Sequence, residues 1–121
     1  QEAAARRPGA AERLRGARAL VAAEDYALAL PLLEDLAGSH PNSAEVLCLL
    51  GRTEDRREGG DVAAARALLA RALVIDPFHA RSLRFLAELE QRAGEGAAYL
   101  DAVRRLRQLD PEDPWLVLQG S

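Results

Sequence analysis

The side chains with the most chemistry to offer in this chain of 121 residues are its arginines. All 16 basic residues are arginine and none is lysine. This reads first as a bias of the coding genome, yet a guanidinium is planar and grips carboxylates or phosphates in a bidentate way that an ammonium cannot match. Other reactive groups are few. Cys48 is the lone cysteine, so no intrachain disulfide can form. It stands one helical turn from Arg52, which would favour a reactive thiolate if the thiol were open to solvent; the plainer reading is a small buried filler. His40 and His79 each lie beside a proline and far apart in sequence, the pattern of exposed loop histidines rather than of a metal pair. Gly59-Gly60 and Gly94-Glu95-Gly96 read as bends, not phosphate cradles, and neither a paired-histidine metal motif nor a serine nucleophile elbow occurs. These residues point to recognition without catalysis, cofactor or metal.

The charge balance narrows the partners. A net charge of −3 argues against a general nucleic-acid or membrane-surface binder, which ordinarily carries excess positive charge. No stretch approaches the length of a membrane span. The chain starts at Gln1 without a methionine and shows no apolar signal segment, as in a mature product or an excised fragment. A soluble, cytoplasmic setting is favoured over a periplasmic or secreted one, with the compartment left open.

The elements that must position these side chains are helices. Alanine, leucine, arginine and glutamate dominate, aromatics make up only 4% of the chain, and no run alternates in the manner of a strand. Three junctions end in proline: Ser39-His40-Pro41, Ile75-Asp76-Pro77 and Leu109-Asp110-Pro111. The prolines are 36 and then 34 residues apart. A period near 34 marks a solenoid of stacked helix pairs, each burying its apolar face only against its neighbours. The expected architecture is all-α, a right-handed α-solenoid of three helix-turn-helix repeats at 10–42, 43–78 and 79–112. Residues 1–9 form an N-terminal tail or helix extension, and 113–121 a C-terminal cap or truncated fourth repeat.

Local signals refine this layout. Leu14, Ala17, Leu20 and Val21 make one apolar stripe, and Tyr26, Ala29, Leu30, Leu33 and Leu36 the next. Pro31 falls inside the second stripe and predicts a kink or an irregular first turn. Gly38 is expected to close that helix. Ser43 and Asp61 are expected N-caps. The helix after Ser43 is expected to run through the charged stretch from Arg52 to Glu58 and stop at Gly59-Gly60. Asp113 caps the final apolar tail, where Trp115, Leu116 and Leu118 cover the last hairpin; the alternative is an apolar edge that pairs with a second copy.

These residues resemble the tetratricopeptide repeat. The middle unit carries the pattern best, with Leu47, Leu50-Gly51, Gly60, Ala65, Leu69, Ala72 and Pro77 in order, and about two extra residues placed at the bend, Arg56 to Gly59. The first unit has Ala17 where the small glycine would stand, and the third has Ala87 there, with Tyr99 at an alanine site. A phenol ring at the closest approach of two helices predicts local widening or a shift of register.

The resemblance implies that the first helix of each pair lines a concave face. The charged residues it places there are Arg18, Glu45, Arg52, Asp55, Arg56, Arg81, Arg84, Glu88 and Arg92, six arginines against three acids. The expectation is a non-catalytic scaffold whose groove binds a protein or peptide partner, acidic in character, through Arg18, Arg52, Arg56, Arg81, Arg84, Glu88 and Arg92. The plainer alternative is a solvated face with pairs at helical spacing, Arg52 with Asp55 and Arg84 with Glu88. The clamp by which some family members hold a chaperone's C-terminal carboxylate is not matched: Leu14, Arg18 and Leu49 stand where its lysine and asparagines would be. Two other readings are an accessory region of a larger enzyme, such as an oxygenase or transferase, and homodimerisation through terminal apolar edges.

Overall fold

A computed structural model describes residues 9–119; all of the expected tail 1–9 except Gly9 lies outside the described residues. Seven helices follow one another among them: α1 (Ala10–Ala22), α2 (Tyr26–Ser39), α3 (Ala44–Arg56), α4 (Val62–Ile75), α5 (Ala80–Ala93), α6 (Gly96–Leu109) and α7 (Pro114–Leu118). Each odd helix pairs with the even helix after it, and the first helices touch in the series α1, α3, α5. The result is an all-α solenoid of three hairpins, closed at its end by the short α7.

Caps set the helix starts. Ser43 accepts from the Val46 amide at 3.2 Å, Asp61 from Ala63 at 2.9 Å and Asp113 from Trp115 at 2.8 Å. Each satisfies an amide that the first turn leaves without a helical partner. Glu12 reaches back to accept from the Gly9 amide at 3.1 Å.

Two expected helix ends are corrected. Gly38 lies inside α2 rather than closing it, and the chain leaves the helix at His40, whose φ of −135° and ψ of 67° are no longer helical. The helix after Ser43 stops at Arg56, short of Gly59-Gly60, because Glu54 draws the chain into a turn. Its carboxylate accepts from Arg57 Nε at 3.0 Å and from the Asp61 amide at 3.0 Å. Gly59 then adopts φ +76°, and a Cβ at Gly60 would sit 1.9 Å from the Glu54 carbonyl oxygen. No side chain fits there. Pro31 is tolerated within an unbroken α2: it and Ala27, whose carbonyl loses its partner, are both exposed to solvent.

The core is a chain of three shared clusters, which is why the hairpins stack. Ala17, Val21, Ala29, Leu33 and Leu36 of the first hairpin close over Val46 and Leu49 of α3. Leu47, Cys48, Ala65, Leu69 and Ala72 of the second close over Leu89 of α5. Leu83, Ala87, Ala102, Val103 and Leu106 of the third take in Leu73 from α4 and Leu116 from α7. Each fully buried leucine contributes roughly 1.5–3 kcal/mol, and every cluster takes part of that from the adjoining hairpin.

At the middle hairpin's closest approach, a Cβ on Gly51 would stand 2.9 Å from Leu69 Cγ and 3.3 Å from the Ala65 carbonyl oxygen. At the end of the solenoid, Tyr99 and Trp115 both pack half-buried against the last cluster, and the Tyr99 hydroxyl donates to Gln119 at 3.2 Å.

Candidate functional site

The first helices build one face. Arg18 (α1), Arg81 and Arg84 (α5), with Glu45 (α3) and His79, border a broad shelf of about 430 Å³. Arg18 and Arg81 also border an adjoining cleft of about 210 Å³, in company with Val21, Leu49, Arg52 and Phe85. Three repeats therefore contribute to a continuous surface. It is the side of the solenoid where α1, α3 and α5 lie next to one another.

Glu45 is the centre of the shelf. Its carboxylate accepts from Arg18 Nε at 3.0 Å, from His79 Nε2 at 3.1 Å and from Arg81. The carboxyl is held down to about 2, first by the hydrogen bond from His79 and then by Arg18 and Arg81, against the opposing effect of burial.

The other arginines also meet acids. Arg52 bonds Glu88, and its guanidinium lies 4.3 Å from the centroid of the Phe85 ring, within cation–π range. Arg56 reaches Asp55 and Glu88, each at 3.5 Å. Arg92 pairs with Asp55, whose side chain is almost wholly buried. Arg84 is 3.7 Å from Asp113, the residue that caps α7.

All seven residues singled out from the sequence, Arg18, Arg52, Arg56, Arg81, Arg84, Glu88 and Arg92, thus sit in ion pairs. The pairs are not those of helical spacing: Arg52 takes Glu88 in place of Asp55, and Arg84 takes Asp113 in place of Glu88. Neighbouring first helices lie close enough for their side chains to meet across the gap, and those contacts displace the ones along each helix. Glu45 with Arg81, and Arg52 with Glu88, are both 36 residues apart. That is one repeat length. Opposite charges at equivalent places in successive repeats were the signal available in the sequence.

His79 corrects another expectation. It is no free loop histidine: its side chain is 16% exposed, and Nδ1 accepts from the Ser82 amide at 3.2 Å, making it the N-cap of α5. With Nδ1 accepting, Nε2 carries the proton given to Glu45, so the neutral tautomer fits every contact. Ser82 Oγ lies 2.8 Å from the same Nδ1. The resulting Ser82–His79–Glu45 chain has the connectivity of a nucleophilic triad, but Ser82 is completely buried. A hydroxyl sealed beneath the surface cannot attack a substrate, so this chain holds a helix in place. His40 is exposed, with Nδ1 2.9 Å from Ser39 Oγ.

Cys48 is the buried filler. It is fully enclosed, and burial pushes its thiol up to about 12, against a smaller opposing hydrogen bond from Ser82. A thiol so placed is inert at neutral pH.

Solved structures share this arrangement. Residues 41 to the end of MamA from Desulfovibrio magneticus RS-1 superpose with a TM-score of 0.72 at 21% identity, over 85% of this chain and 57% of that one. A MamA RS-1 ArsTM double mutant gives the same TM-score and identity over 87% and 58%. The fold is the tetratricopeptide type. The present chain spans less than two thirds of the length of either structure. No protein-family model matches the sequence, and no curated protein matches it. Among the described residues, no helix is long and apolar enough to cross a membrane.

Proposed function

We propose that this chain is a non-catalytic interaction scaffold whose concave face receives an acidic peptide segment of a protein partner. The observation that carries this reading is the shelf, where the guanidiniums of Arg18, Arg81 and Arg84 border a single carboxylate, that of Glu45. The protein as a whole is acidic, so this is a local reversal of sign, and it attracts and orients negative groups. Arg18 is 41% exposed at its side chain and Arg81 34%, which leaves both guanidiniums open to a second carboxylate. Arg52, Arg56 and Arg92 extend the positive surface along α3 and α5, with Glu88 holding the first two in place.

The test is a binding titration of the partner, recovered by pull-down, against the wild type and the triple variant Arg18→Gln, Arg81→Gln and Arg84→Gln. Binding should fall by at least tenfold and weaken with salt, while the circular dichroism spectrum stays helical. Undiminished binding by a folded variant would remove the shelf as the site.

A second reading, self-association, is favoured by the apolar end of the solenoid, where Val117 and Leu118 are 68% and 81% exposed. Light scattering over a range of concentrations separates the two. A mass that doubles in wild type and not in Val117→Ser, Leu118→Ser supports the second.

A further inference from the structure

The shelf and the cleft are neighbours with a shared border, and their chemistry differs. The cleft is floored by Val21 and Leu49, both buried, and flanked by the half-buried ring of Phe85, over which the Arg52 guanidinium lies; Tyr26 and the exposed Glu24 complete its rim. Its volume, about 210 Å³, is below the roughly 300–1,000 Å³ of pockets that hold whole small molecules. That size suits one large side chain. Arg18 and Arg81 form the border itself, so a group seated in the cleft lies directly beside the guanidiniums that hold Glu45.

We infer that the recognition element is a bulky apolar side chain, aromatic or branched, next to an acidic side chain in one extended segment. This rests on reading the concave face as a site for acidic peptides and specifies which ones it takes. The apolar group packs against Val21, Leu49 and Phe85, while the neighbouring carboxylate draws Arg18 and Arg81 partly away from Glu45. Charge complementarity selects the acid, and the small volume of the cleft selects a single side chain as the anchor. The acid belongs to a side chain rather than to a chain terminus, because Leu49, at the floor of the cleft, offers a terminal carboxylate no polar group to bind.

Acetylated and amidated eight-residue peptides of glycine and serine, carrying Glu-Glu-Phe, Glu-Glu-Ala or Gln-Gln-Phe at the centre, provide the probes. With the full chain, the Glu-Glu-Phe peptide should bind about tenfold or more tighter than Glu-Glu-Ala, the scale of burying part of one large apolar side chain. It should also bind tighter than Gln-Gln-Phe. Ala22 is exposed at the cleft's edge, so Ala22→Trp fills the space without touching the core. That variant should erase the advantage of phenylalanine and leave the Glu-Glu-Ala peptide unaffected. Equal affinity of the two acidic peptides, both still dependent on Arg18 and Arg81, would overturn the apolar anchor and spare the acidic groove. Acidic peptides that do not bind, or that bind equally well to Arg18→Gln with Arg81→Gln, would overturn both. A non-amidated peptide binding tenfold tighter than its amidated form would move the acid to a chain terminus and refute the choice made here.

Discussion

In the middle hairpin, Gly51 brings α3 so close to α4 that an added Cβ would press on Leu69, whereas the last hairpin has Ala87 at that place and Tyr99 where the middle one has Ala65. Ala65 is completely buried between helices; Tyr99 is half-buried and bonded through its hydroxyl to Gln119. The middle unit has a neighbour on each side and gains by bringing its backbones together. The last unit has a neighbour on one side only, and uses the bulk of a phenol with Trp115 and Leu116 to cover its outer face. Position in the array, more than the repeat pattern, decides which side chain a site can use.

Four experiments would break or sharpen this contrast. The most damaging is Gly51→Val, which forces three carbons between α3 and Leu69; it should cost about 3 kcal/mol or more, read as a lowered urea midpoint. Ala87→Gly, which removes a methyl at the matching site, should cost only about 1 kcal/mol. Comparable losses would show that the two hairpins pack alike.

Next, Tyr99→Ala should destabilise by about 2 kcal/mol, a partial version of deleting a buried aromatic, and should quench the burial of Trp115, seen as a red shift in its fluorescence. An unshifted spectrum would mean the ring does not support the cap.

The third experiment concerns what joins the hairpins. Glu45 has its carboxyl lowered from 4.5 to about 2, so its contacts contribute fully above pH 4.5 and disappear as pH falls towards 2. The wild type should lose stability across that window more steeply than Glu45→Gln, in paired denaturation curves. Parallel pH profiles would show that the carboxylate adds nothing. The smallest effect is expected of Tyr99→Phe, about 0.5–1 kcal/mol for the hydrogen bond to Gln119.

Much of the fold was legible because it rests on local chemistry. Proline spacing marks the units, and Ser43, Asp61 and Asp113 cap by contacts two or three residues away. What escaped depends on contacts between repeats or on competition within a turn. Nothing near Gly38 in sequence shows that the helix carries on past it. The fate of the Arg52 to Glu58 run turned on Glu54 folding back to the Asp61 amide. In the candidate site the arginines and their shared face were readable, and so was the repeat-length spacing of Glu45 with Arg81 and of Arg52 with Glu88; the partners of Arg18, Arg84 and Arg92 were not. A guanidinium on a long stem reaches several acids, and the choice is made by how closely the next helix lies. Arg66 with Glu90 shows the same: two bonds of 2.8 Å join α4 to α5 around a nearly buried carboxylate, with no hint in either residue's neighbourhood.

Glu45 touches α1 through Arg18 and α5 through Arg81 and His79, so a single group on the central unit fastens both outer ones. Repeat arrays commonly fray from their ends, unit by unit. This carboxylate adds to the apolar clusters that each terminal hairpin shares with the middle one, and the module should melt in one concerted step. A ligand that drew Arg18 and Arg81 away would loosen that fastening and let the curvature of the array adjust to its guest.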